Sequence, residues 1–437
     1  MAGNGKLLLA QKEDVPPHTV FMSSGRSFLP GATLLLSFSL LAPAQDAAAL
    51  MNETSVKAAL EAIERNEPHM LDEQARVCEI PAPPFGEDKR GLEFKRLFEN
   101  LGLKDVRIDN AGNVIATRPG QNARPNVVIA AHLDTVFPEG TNVKVTREGK
   151  IMKGAGIGDD CRGLAVLLGV IKGLDDGNVR TPGTITFVAD VGEEGLGDLR
   201  GMKELFGESM KGKIDSFISV DGLGMNITNV AVGSYRYRVF FKGPGGHSYG
   251  SFGMANPIQA MGRAIAKVDA FEVPTEPKTT FNVGRVGGGT SVNAIPDESW
   301  MEVDLRSADV KSLDALNARF KAALNEAVEE ENKRWNNRGP VSVTPEIVGL
   351  RPAGNTPESA PIVQTALAVS KALGANSRMG EGSTDSNVAM NMGIPAITIG
   401  GGGTGSGAHS PKGERYDSTD SWKGTQRALL LVVSLAR

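Results

Sequence analysis

The chain has 437 residues, a hydrophobic fraction of 40%, two cysteines and a formal net charge of −4 from 47 basic and 51 acidic residues. These values exclude a disordered chain and a disulfide-rich scaffold, and the balance of charge argues against a nucleic-acid partner. The length predicts two or three domains. Glycine is in excess, at 53 residues, and histidine is scarce, at 5 residues.

An apolar run near the N-terminus predicts an export signal. The run covers the 15 residues 28–42, and a membrane-spanning helix needs about 20 residues, so no stable membrane span is expected. Small residues follow at Ala42 and Ala44, at the spacing that signal peptidases accept. We therefore predict that residues 1–44 are a leader ending in a signal peptide, with Met22 as the true start. The mature protein is then periplasmic or secreted.

The alternatives to a cleaved signal are an uncleaved membrane anchor, a disordered tail, or a cytoplasmic protein whose leader is not functional. Export would place Cys78 and Cys161 in an oxidising compartment, where cysteines can pair. The sequence leaves open the simpler interpretation that both are free thiols.

The chain after the leader begins with the pattern of an α/β domain, in which short apolar runs alternate with longer helical patterns. The predicted elements are, in chain order, helices at 52–78 and 88–101, a strand at 127–131, a helix at 162–174, and strands at 184–190 and 216–221. Strands that alternate with helices imply a parallel sheet covered on both faces.

From residue 233 the pattern changes to half-exposed strands. The predicted elements are a strand at 235–241, a helix that begins at Asn256–Pro257, strands at 279–286 and 299–306, a helix at 309–334 and a strand at 341–348. This β-α-β-β-α-β order is that of the ferredoxin-like unit. Helix and buried strand return near residue 360, so we predict an α/β domain with an inserted α+β domain. The predicted boundaries are 52–232, 233–345 and 346–437.

Potential metal ligands follow the predicted strands of the α/β domain. They are His132, Asp134, Asp159, Asp160, Glu193, Glu194, Asp221 and His409. A core histidine, a solvated glutamate pair, a helix N-cap and a turn would each explain one of these positions taken alone. Because ligands of open α/β sheets bind at the carboxyl ends of the strands, their joint occurrence there favours one shared site.

The donor set matches two divalent cations. Three carboxylates, from Asp159, Glu194 and Asp221, would offset their charge together with a hydroxide, and two imidazoles would complete two centres. Mixed imidazole and carboxylate donors suit zinc, with cobalt and manganese as alternatives. Residues i and i+2 of a strand face the same side, so Asp134 is expected to reach the far nitrogen of His132 and orient it.

These segments belong to an ordered set of motifs. The set comprises HLDTV (132–136), GAGIGDDCRG (154–163), EEGLG (193–197), VDG (220–222), GPGGHS (243–248), TSVNAIPD (290–297), DLRS (304–307), GSTDSN (382–387) and GAHSP (407–411). It closely resembles the dinuclear zinc metallopeptidases that include tripeptidase T, glutamate carboxypeptidase, aminoacylase and succinyl-diaminopimelate desuccinylase. The resemblance covers residues 55–437 and is nearest to the tripeptidase branch. Relatives often have Lys or Met at the position of Cys161.

The resemblance implies a zinc-exopeptidase-like catalytic domain with an inserted lid and dimerisation domain, and it implies roles for individual residues. Asp159 would bridge two zinc ions, with His132 and Asp221 completing one site and Glu194 and His409 the other. The resemblance assigns the general base to Glu193 and the orienting role to Asp134. Substrate or oxyanion contacts would come from His247, Asn293, Arg306 and Ser383.

The function expected from this resemblance is that of an aminopeptidase-like exopeptidase, which hydrolyses an amide bond in dipeptides and tripeptides. The expected assembly is a homodimer that uses two zinc ions per subunit. A carboxypeptidase or an amidohydrolase that releases an N-acyl group from an amino acid is the first alternative, because only the pocket differs. A non-catalytic binding relative is a remote alternative, since its expected mark, loss of Glu193 or of a metal ligand, is not found in the sequence.

Overall fold

The computed structural model describes residues 43–437, so the predicted signal sequence lies outside the described residues except for its last two positions. Within this range the helices are α1 (Pro43–Asn52), α2 (Thr54–Cys78), α3 (Asp88–Asn100), α4 (Cys161–Asp176), α5 (Arg200–Glu204), α6 (Pro257–Asp269), α7 (Val310–Arg334), α8 (Pro361–Ala372), α9 (Ser386–Asn391) and α10 (Trp422–Leu435). None of these helices is long and apolar enough to cross a membrane.

The strands are shorter and more numerous. They are β1 (Lys104–Ile108), β2 (Val114–Arg118), β3 (Asn126–His132), β4 (Thr146–Glu148), β5 (Ile151–Lys153), β6 (Thr184–Asp190), β7 (Ser216–Val220), β8 (Ile227–Ala231), β9 (Gly233–Lys242), β10 (Gly246–His247), β11 (Thr279–Gly288), β12 (Ala294–Ile295), β13 (Glu298–Ser307), β14 (Ser342–Arg351), β15 (Gly354–Asn355), β16 (Met379–Gly382), β17 (Ala396–Ile399), β18 (Thr404–Ser406) and β19 (Arg415–Asp417).

A nine-stranded mixed sheet forms the centre of the α/β domain. Its order is β1-β2-β6-β3-β7-β17-β8-β15, with β16 also paired to β8. The four central strands β6, β3, β7 and β17 are parallel, as predicted. The strands at the two edges are mostly antiparallel, which the sequence analysis did not foresee.

Two apolar cores cover this sheet. Every residue of β3 and β6 is buried. One face packs against helices that include α2, α4 and α10, and the other packs against α5 and α9. Strands buried on both faces read as continuous apolar runs, which is why the sequence revealed them.

The inserted domain has the predicted ferredoxin-like order. Its sheet runs β11-β13-β9-β14 and is antiparallel throughout. Alternate residues of β13 are buried beneath α6 and α7. The helix α6 begins as expected, because the Asn256 side chain accepts hydrogen bonds from the backbone N–H groups of Ile258 and Gln259.

The structure differs from the predictions at two boundaries. Helix α1 begins at Pro43, inside the predicted leader, and its residues Ala47 and Leu50 belong to the main core. Strand β14 continues to Arg351, beyond the predicted end of the inserted domain at residue 345.

The two cysteines form a disulfide bond, so the interpretation of Cys78 and Cys161 as free thiols is wrong. The bond joins the C-terminus of α2 to the N-terminus of α4, and both cysteines are fully buried. No spacing rule linked them, since they are 83 residues apart.

Candidate metal centre

The predicted ligands meet at the carboxyl edge of the central sheet. His132 ends β3, Asp221 follows β7, and Glu193 and Glu194 follow β6. His409 lies on the loop between β18 and β19. The parallel register that sets His132 beside Asp190 of β6 brings these strand ends to the same level.

Asp159 lies between the two histidines. Its Oδ1 is 3.1 Å from Nε2 of His132, and its Oδ2 is 3.1 Å from Nε2 of His409. His409 has a second carboxylate neighbour, Glu194, whose Oε1 lies 3.3 Å from Nε2 of His409. One carboxylate thus contacts both imidazoles with different oxygens, as a bridging ligand would.

Two groups of potential ligands share Asp159. The ligand atoms of His132, Asp159 and Asp221 lie within 4.8 Å of one another, and so do those of Asp159, Glu194 and His409. Each group combines one imidazole with two carboxylates. This donor chemistry fits a zinc-type cation in each group. The two groups contain the residues that the resemblance assigns to the two metal sites.

The charges of the cluster favour cations. Burial raises the pKa of Glu194 to about 7 and that of Asp221 to about 6, with the charge of Asp159 adding to both shifts. Hydrogen bonding to Asp159 raises the pKa of His409 to about 9. Burial opposes the charged form of Asp159, but its hydrogen bonds to the two histidines lower its pKa below the usual range. Carboxylates crowded in a buried site need positive charge nearby.

Glu193 lies beside the two ligand groups. Its carboxylate forms a third set within 4.8 Å together with ligand atoms of His132 and Glu194. It is 5% exposed, and its Oε1 accepts a hydrogen bond from Arg351 Nη1 at 2.9 Å. Burial raises the pKa of Glu193 well above its ordinary value, and the charge of Arg351 opposes this shift. A carboxylate whose pKa is raised toward neutrality suits proton transfer.

Asp134 positions the glutamate loop as well as the histidine. The contact to Nδ1 of His132 is made by the backbone carbonyl of Asp134, at 2.9 Å, while its carboxylate Oδ1 is 3.7 Å away. The carboxylate instead accepts backbone N–H groups of Gly192, Glu193 and Glu194 at 2.9–3.1 Å. The backbone carbonyl of Asp134 therefore contacts His132, whereas the prediction assigned this contact to the carboxylate. The carboxylate instead holds the backbone of the neighbouring loop.

The loops that present these ligands contain unusual backbone conformations. Gly156 and Gly192 have φ angles of 78° and 73°, which favour glycine. His409 has a φ of 65° although it is not a glycine. Such a conformation costs energy, and residues that adopt it cluster at functional sites.

Glu414 is a residue of the site that the sequence analysis missed. Its carboxylate accepts the backbone N–H groups of Gly156, Gly158 and Asp159 at 2.8–3.1 Å and so holds the loop that carries Asp159. It lies 255 residues from Asp159 in the sequence, and no local pattern marks it.

Arg351 is the second missed residue. Besides Glu193 Oε1, its guanidinium donates to the backbone carbonyl of Glu193 and, at 3.2 Å, to Oγ of Ser383. It is 4% exposed. The sequence shows only an arginine shortly after the predicted strand 341–348, and nothing there indicates that its side chain is buried.

Asp160 has a different role from its neighbour Asp159. One oxygen accepts the backbone N–H of Gly163 and caps α4, and the other accepts the backbone N–H of His132 at 3.2 Å. The helix-cap interpretation was thus right for one aspartate of the pair, while the other contacts the histidines.

The predicted substrate residues occupy different positions. Ser383 contacts Arg351. Arg306 is on β13 and donates from Nε to Asp304 at 2.6 Å. Among residues 43–437, no hydrogen bond or ion pair joins His247 or Asn293 to the ligands. His247 is exposed on β10, where its backbone pairs with Ala294, next to Asn293.

Comparisons with known proteins identify the family of the chain. The model of Peptidase family M20/M25/M40 matches residues 128–433. The uncharacterized protein YqjE of Bacillus subtilis is 29% identical over 353 residues, covering 76% of this chain and 90% of that protein. Carboxypeptidase G2 of a Pseudomonas species is 27% identical over 354 residues, covering 77% of this chain and 81% of that protein.

The fold recurs in solved structures. A tripeptidase from Staphylococcus aureus has a TM-score of 0.71 at 24% identity, covering 85% of this chain and 99% of that chain. Fold and site together define a metal-dependent hydrolase of amide bonds with an inserted ferredoxin-like domain. The chain belongs to Peptidase family M20/M25/M40, which confirms the resemblance seen in the motifs.

Proposed function

We propose that the protein is an aminopeptidase-like exopeptidase that removes the N-terminal residue from short peptides, with two zinc ions that Asp159 would bridge. The observation that carries the proposal is the position of Asp159 between His132 and His409, with the raised-pKa carboxylate of Glu193 beside the same cluster. His132 and Asp221 would hold one ion, and Glu194 and His409 the other.

The chemistry divides between the metals and the chain. Bound zinc would act as a Lewis acid that polarises the scissile carbonyl and lowers the pKa of a water molecule. Glu193 would take a proton from the attacking water and deliver it to the leaving amine. Arg351 would hold the Glu193 carboxylate in place through the 2.9 Å hydrogen bond. The Asp134 carboxylate would fix the backbone of the loop that carries the base.

Ser383 lies beside Arg351, whereas Arg306, His247 and Asn293 belong to the inserted domain, and we propose that all four bind substrate. Arg306 suits a carboxylate, because a guanidinium can donate two parallel hydrogen bonds to it. His247 would stabilise the oxyanion, Asn293 would contact substrate, and Ser383, beside Arg351, would contribute a hydroxyl. For His247 and Asn293 this requires the inserted domain of the same or a second subunit to approach the metals.

A second candidate function is carboxypeptidase or N-acyl-amino-acid amidohydrolase activity. It is favoured by the similarity to carboxypeptidase G2, which extends over 77% of this chain. The similarity of fold to a tripeptidase favours the first candidate. The same metal centre would serve both reactions, and the residues that bind the substrate termini would decide between them.

A substrate panel tests the proposal. Zinc-loaded protein is incubated with free-amine tripeptides, the same peptides with a blocked N-terminus, peptides with an amidated C-terminus, and N-acyl amino acids. The exopeptidase proposal predicts cleavage of the free-amine peptides and loss of cleavage when the N-terminus is blocked. Preferential cleavage of N-blocked substrates would favour the second candidate, and no chelator-sensitive hydrolysis of any amide would contradict both.

The identity of the metal needs its own measurement. We infer zinc from the mixture of imidazole and carboxylate donors, whereas cobalt and manganese tolerate similar sites. Elemental analysis of protein purified from its native host without added metal, followed by reconstitution of the chelated protein with each ion, tests this inference. Two zinc ions per chain are expected.

We also propose a homodimer formed through the inserted domain. Strand β11 lies at an edge of its sheet, where a second copy could pair. Light scattering of the intact protein and of Asn282→Pro, a substitution in β11, tests this proposal. We expect the intact protein to be a dimer and Asn282→Pro to be a monomer. A monomeric wild-type protein would contradict the proposal.

We propose that the protein is exported. The support comes from the disulfide bond, because such bonds persist in oxidising compartments and are rare in the cytosol. N-terminal sequencing of protein recovered from the native host tests the proposal. A mature chain that begins after residue 44 is expected, and one that begins before residue 28 would contradict the proposal.

A further inference from the structure

The disulfide bond lies next to the segment that carries Asp159 of the proposed metal centre. Cys161 is the first residue of α4 and follows Asp159 and Asp160 without a gap. Its partner Cys78 ends α2, and the two Cα atoms are 5.5 Å apart. The bond therefore attaches the segment that carries the bridging carboxylate to a helix of the main core.

On the Cys161 side of the bond, backbone contacts close the loop that leads to Asp159. The Cys161 backbone N–H donates to Gly156 at 3.1 Å, which closes the loop on itself. Asp160 connects the same segment to the backbone of His132. Glu414 also holds this loop, because its carboxylate accepts the backbone N–H of Asp159.

The Cys78 side reaches the other ligands through α2 and Arg90. Gln74 of α2 donates to the backbone carbonyl of Ile157 at 2.7 Å. Arg90 donates to the carbonyl of Cys78 at 3.1 Å and to that of Leu133, the residue after His132, at 2.6 Å. The end of α2 thus contacts the loop before Asp159 directly, and Arg90 of α3 links it to the strand end that carries His132.

We propose that Cys78 and Cys161 are positioning residues, whose disulfide bond holds Asp159 where it can bridge the two metal ions. The proposal rests on the proposed dinuclear centre. The bond forms when the two thiols transfer two electrons and two protons to an external disulfide, which is reduced to two thiols. A dithiol reductant reverses the reaction. The high-affinity metal centre is therefore completed only in the oxidised chain, as after export.

The expected effect is a loss of metal affinity. Residues that orient metal ligands typically change metal affinity by about 10–100-fold when they are replaced. We expect a loss of this size for the bridged pair of ions in Cys78→Ala/Cys161→Ala, a variant that removes the thiols as alternative ligands. Activity should be weak at limiting zinc and return toward the wild-type kcat when zinc is saturating, because Glu193 is unchanged.

The experiment compares three full-length proteins by zinc titration against a competing chelator. They are the oxidised wild type, Cys78→Ala/Cys161→Ala, and Val369→Ala. The last variant removes buried methyl groups from α8 in the main core, which is a different apolar cluster from the one that contains the two cysteines. Thermal unfolding without metal identifies the loss of stability in each variant, and the affinities are compared at temperatures equally far below each midpoint. Alkylation of the denatured wild type measures free thiols, and none is expected.

Each result has a defined meaning. Weaker zinc binding in the double variant with unchanged binding in Val369→Ala supports the proposal. Wild-type zinc affinity in the double variant would overturn it, as would an equal loss in Val369→Ala or two alkylated cysteines in the oxidised wild type. A wild type that binds no pair of metals would instead refute the proposed centre itself.

Discussion

The carboxylate of Asp134 accepts a hydrogen bond from the backbone N–H of Glu194 at 2.9 Å. Asp134, which follows β3, thus fixes the backbone of the proposed ligand Glu194, which follows β6. The same carboxylate also accepts the N–H groups of Gly192 and Glu193. Burial opposes the charge of Asp134, but the nearby His132 imidazole and the backbone N–H groups of Glu193 and Glu194 lower its pKa, which keeps it ionised.

Asp134→Ala should weaken metal binding by about 10–100-fold, because the loop of Glu193 and Glu194 loses its anchor. Each buried N–H left without an acceptor costs about 1–3 kcal/mol, so the free energy of unfolding should also fall. Zinc titration and urea unfolding measure the two effects. Asp134→Asn keeps one acceptor oxygen, so its zinc affinity and its free energy of unfolding should lie between those of Asp134→Ala and the wild type. Unchanged zinc affinity in Asp134→Ala would contradict this role of Asp134.

Asp159→Ala should abolish high-affinity binding of both ions, since both ligand groups include Asp159. His409→Ala is the matched control, because His409 belongs to one group and its loss should leave the other ion bound. Metal content after gel filtration measures the stoichiometry of each protein. Two ions bound to Asp159→Ala would show that this carboxylate does not bridge them.

Metal binding should strengthen as the pH rises. In the metal-free protein the pKa of Glu194 is about 7 and that of Asp221 about 6, so these carboxylates hold protons that zinc must displace. Their raised pKa values also mean that the metal-free protein loses stability as the pH rises from their unfolded values through their folded values.

The zinc-induced rise in melting temperature should therefore be larger at about pH 8 than at about pH 6, at the same buffered concentration of free zinc. Differential scanning calorimetry measures this rise. His409, with a pKa of about 9, acts in the same direction because it must also lose a proton. An equal or smaller rise at the higher pH would be inconsistent with these ligands.

Arg351→Gln should raise the pH at which the activity begins to appear. Burial raises the pKa of Glu193, and the charge of Arg351 opposes that effect, so its removal lets the pKa rise further. The acid limb of the kcat profile should then move to higher pH, whereas Arg351→Lys should move it less. A limb that stays in place or moves to lower pH would remove Arg351 from this role.

The central strands and their polar ends could be predicted because each is a local pattern. The strand 184–190 is rich in β-branched and apolar residues, with two glutamates shortly after it, and it is observed over the same residues. The helix α6 was recognisable from Asn256 and Pro257 at its start. Strand ends of a parallel sheet share an edge, so correct strands were enough to bring His132, Glu194 and Asp221 together.

The contacts that were missed depend on distant parts of the chain. Glu414 binds the loop before Asp159 through backbone groups 255 to 258 residues away. The small sheet β18-β19-β5-β4 joins two segments that are both short and partly exposed. The disulfide bond likewise depends on how α2 lies against α4. Tertiary packing decides such contacts, and no periodicity in the sequence records them.

The most direct test of the account is Glu193→Gln, which keeps the size of the side chain and its contact with Arg351 but cannot accept the proton. Metal content and kcat are measured on the same zinc-loaded preparation, with a peptide that the wild type cleaves. Two zinc ions per chain and a loss in kcat of about 10²–10⁴-fold are predicted. A kcat equal to that of the wild type, with both ions bound, would contradict the assignment of Glu193 as the general base.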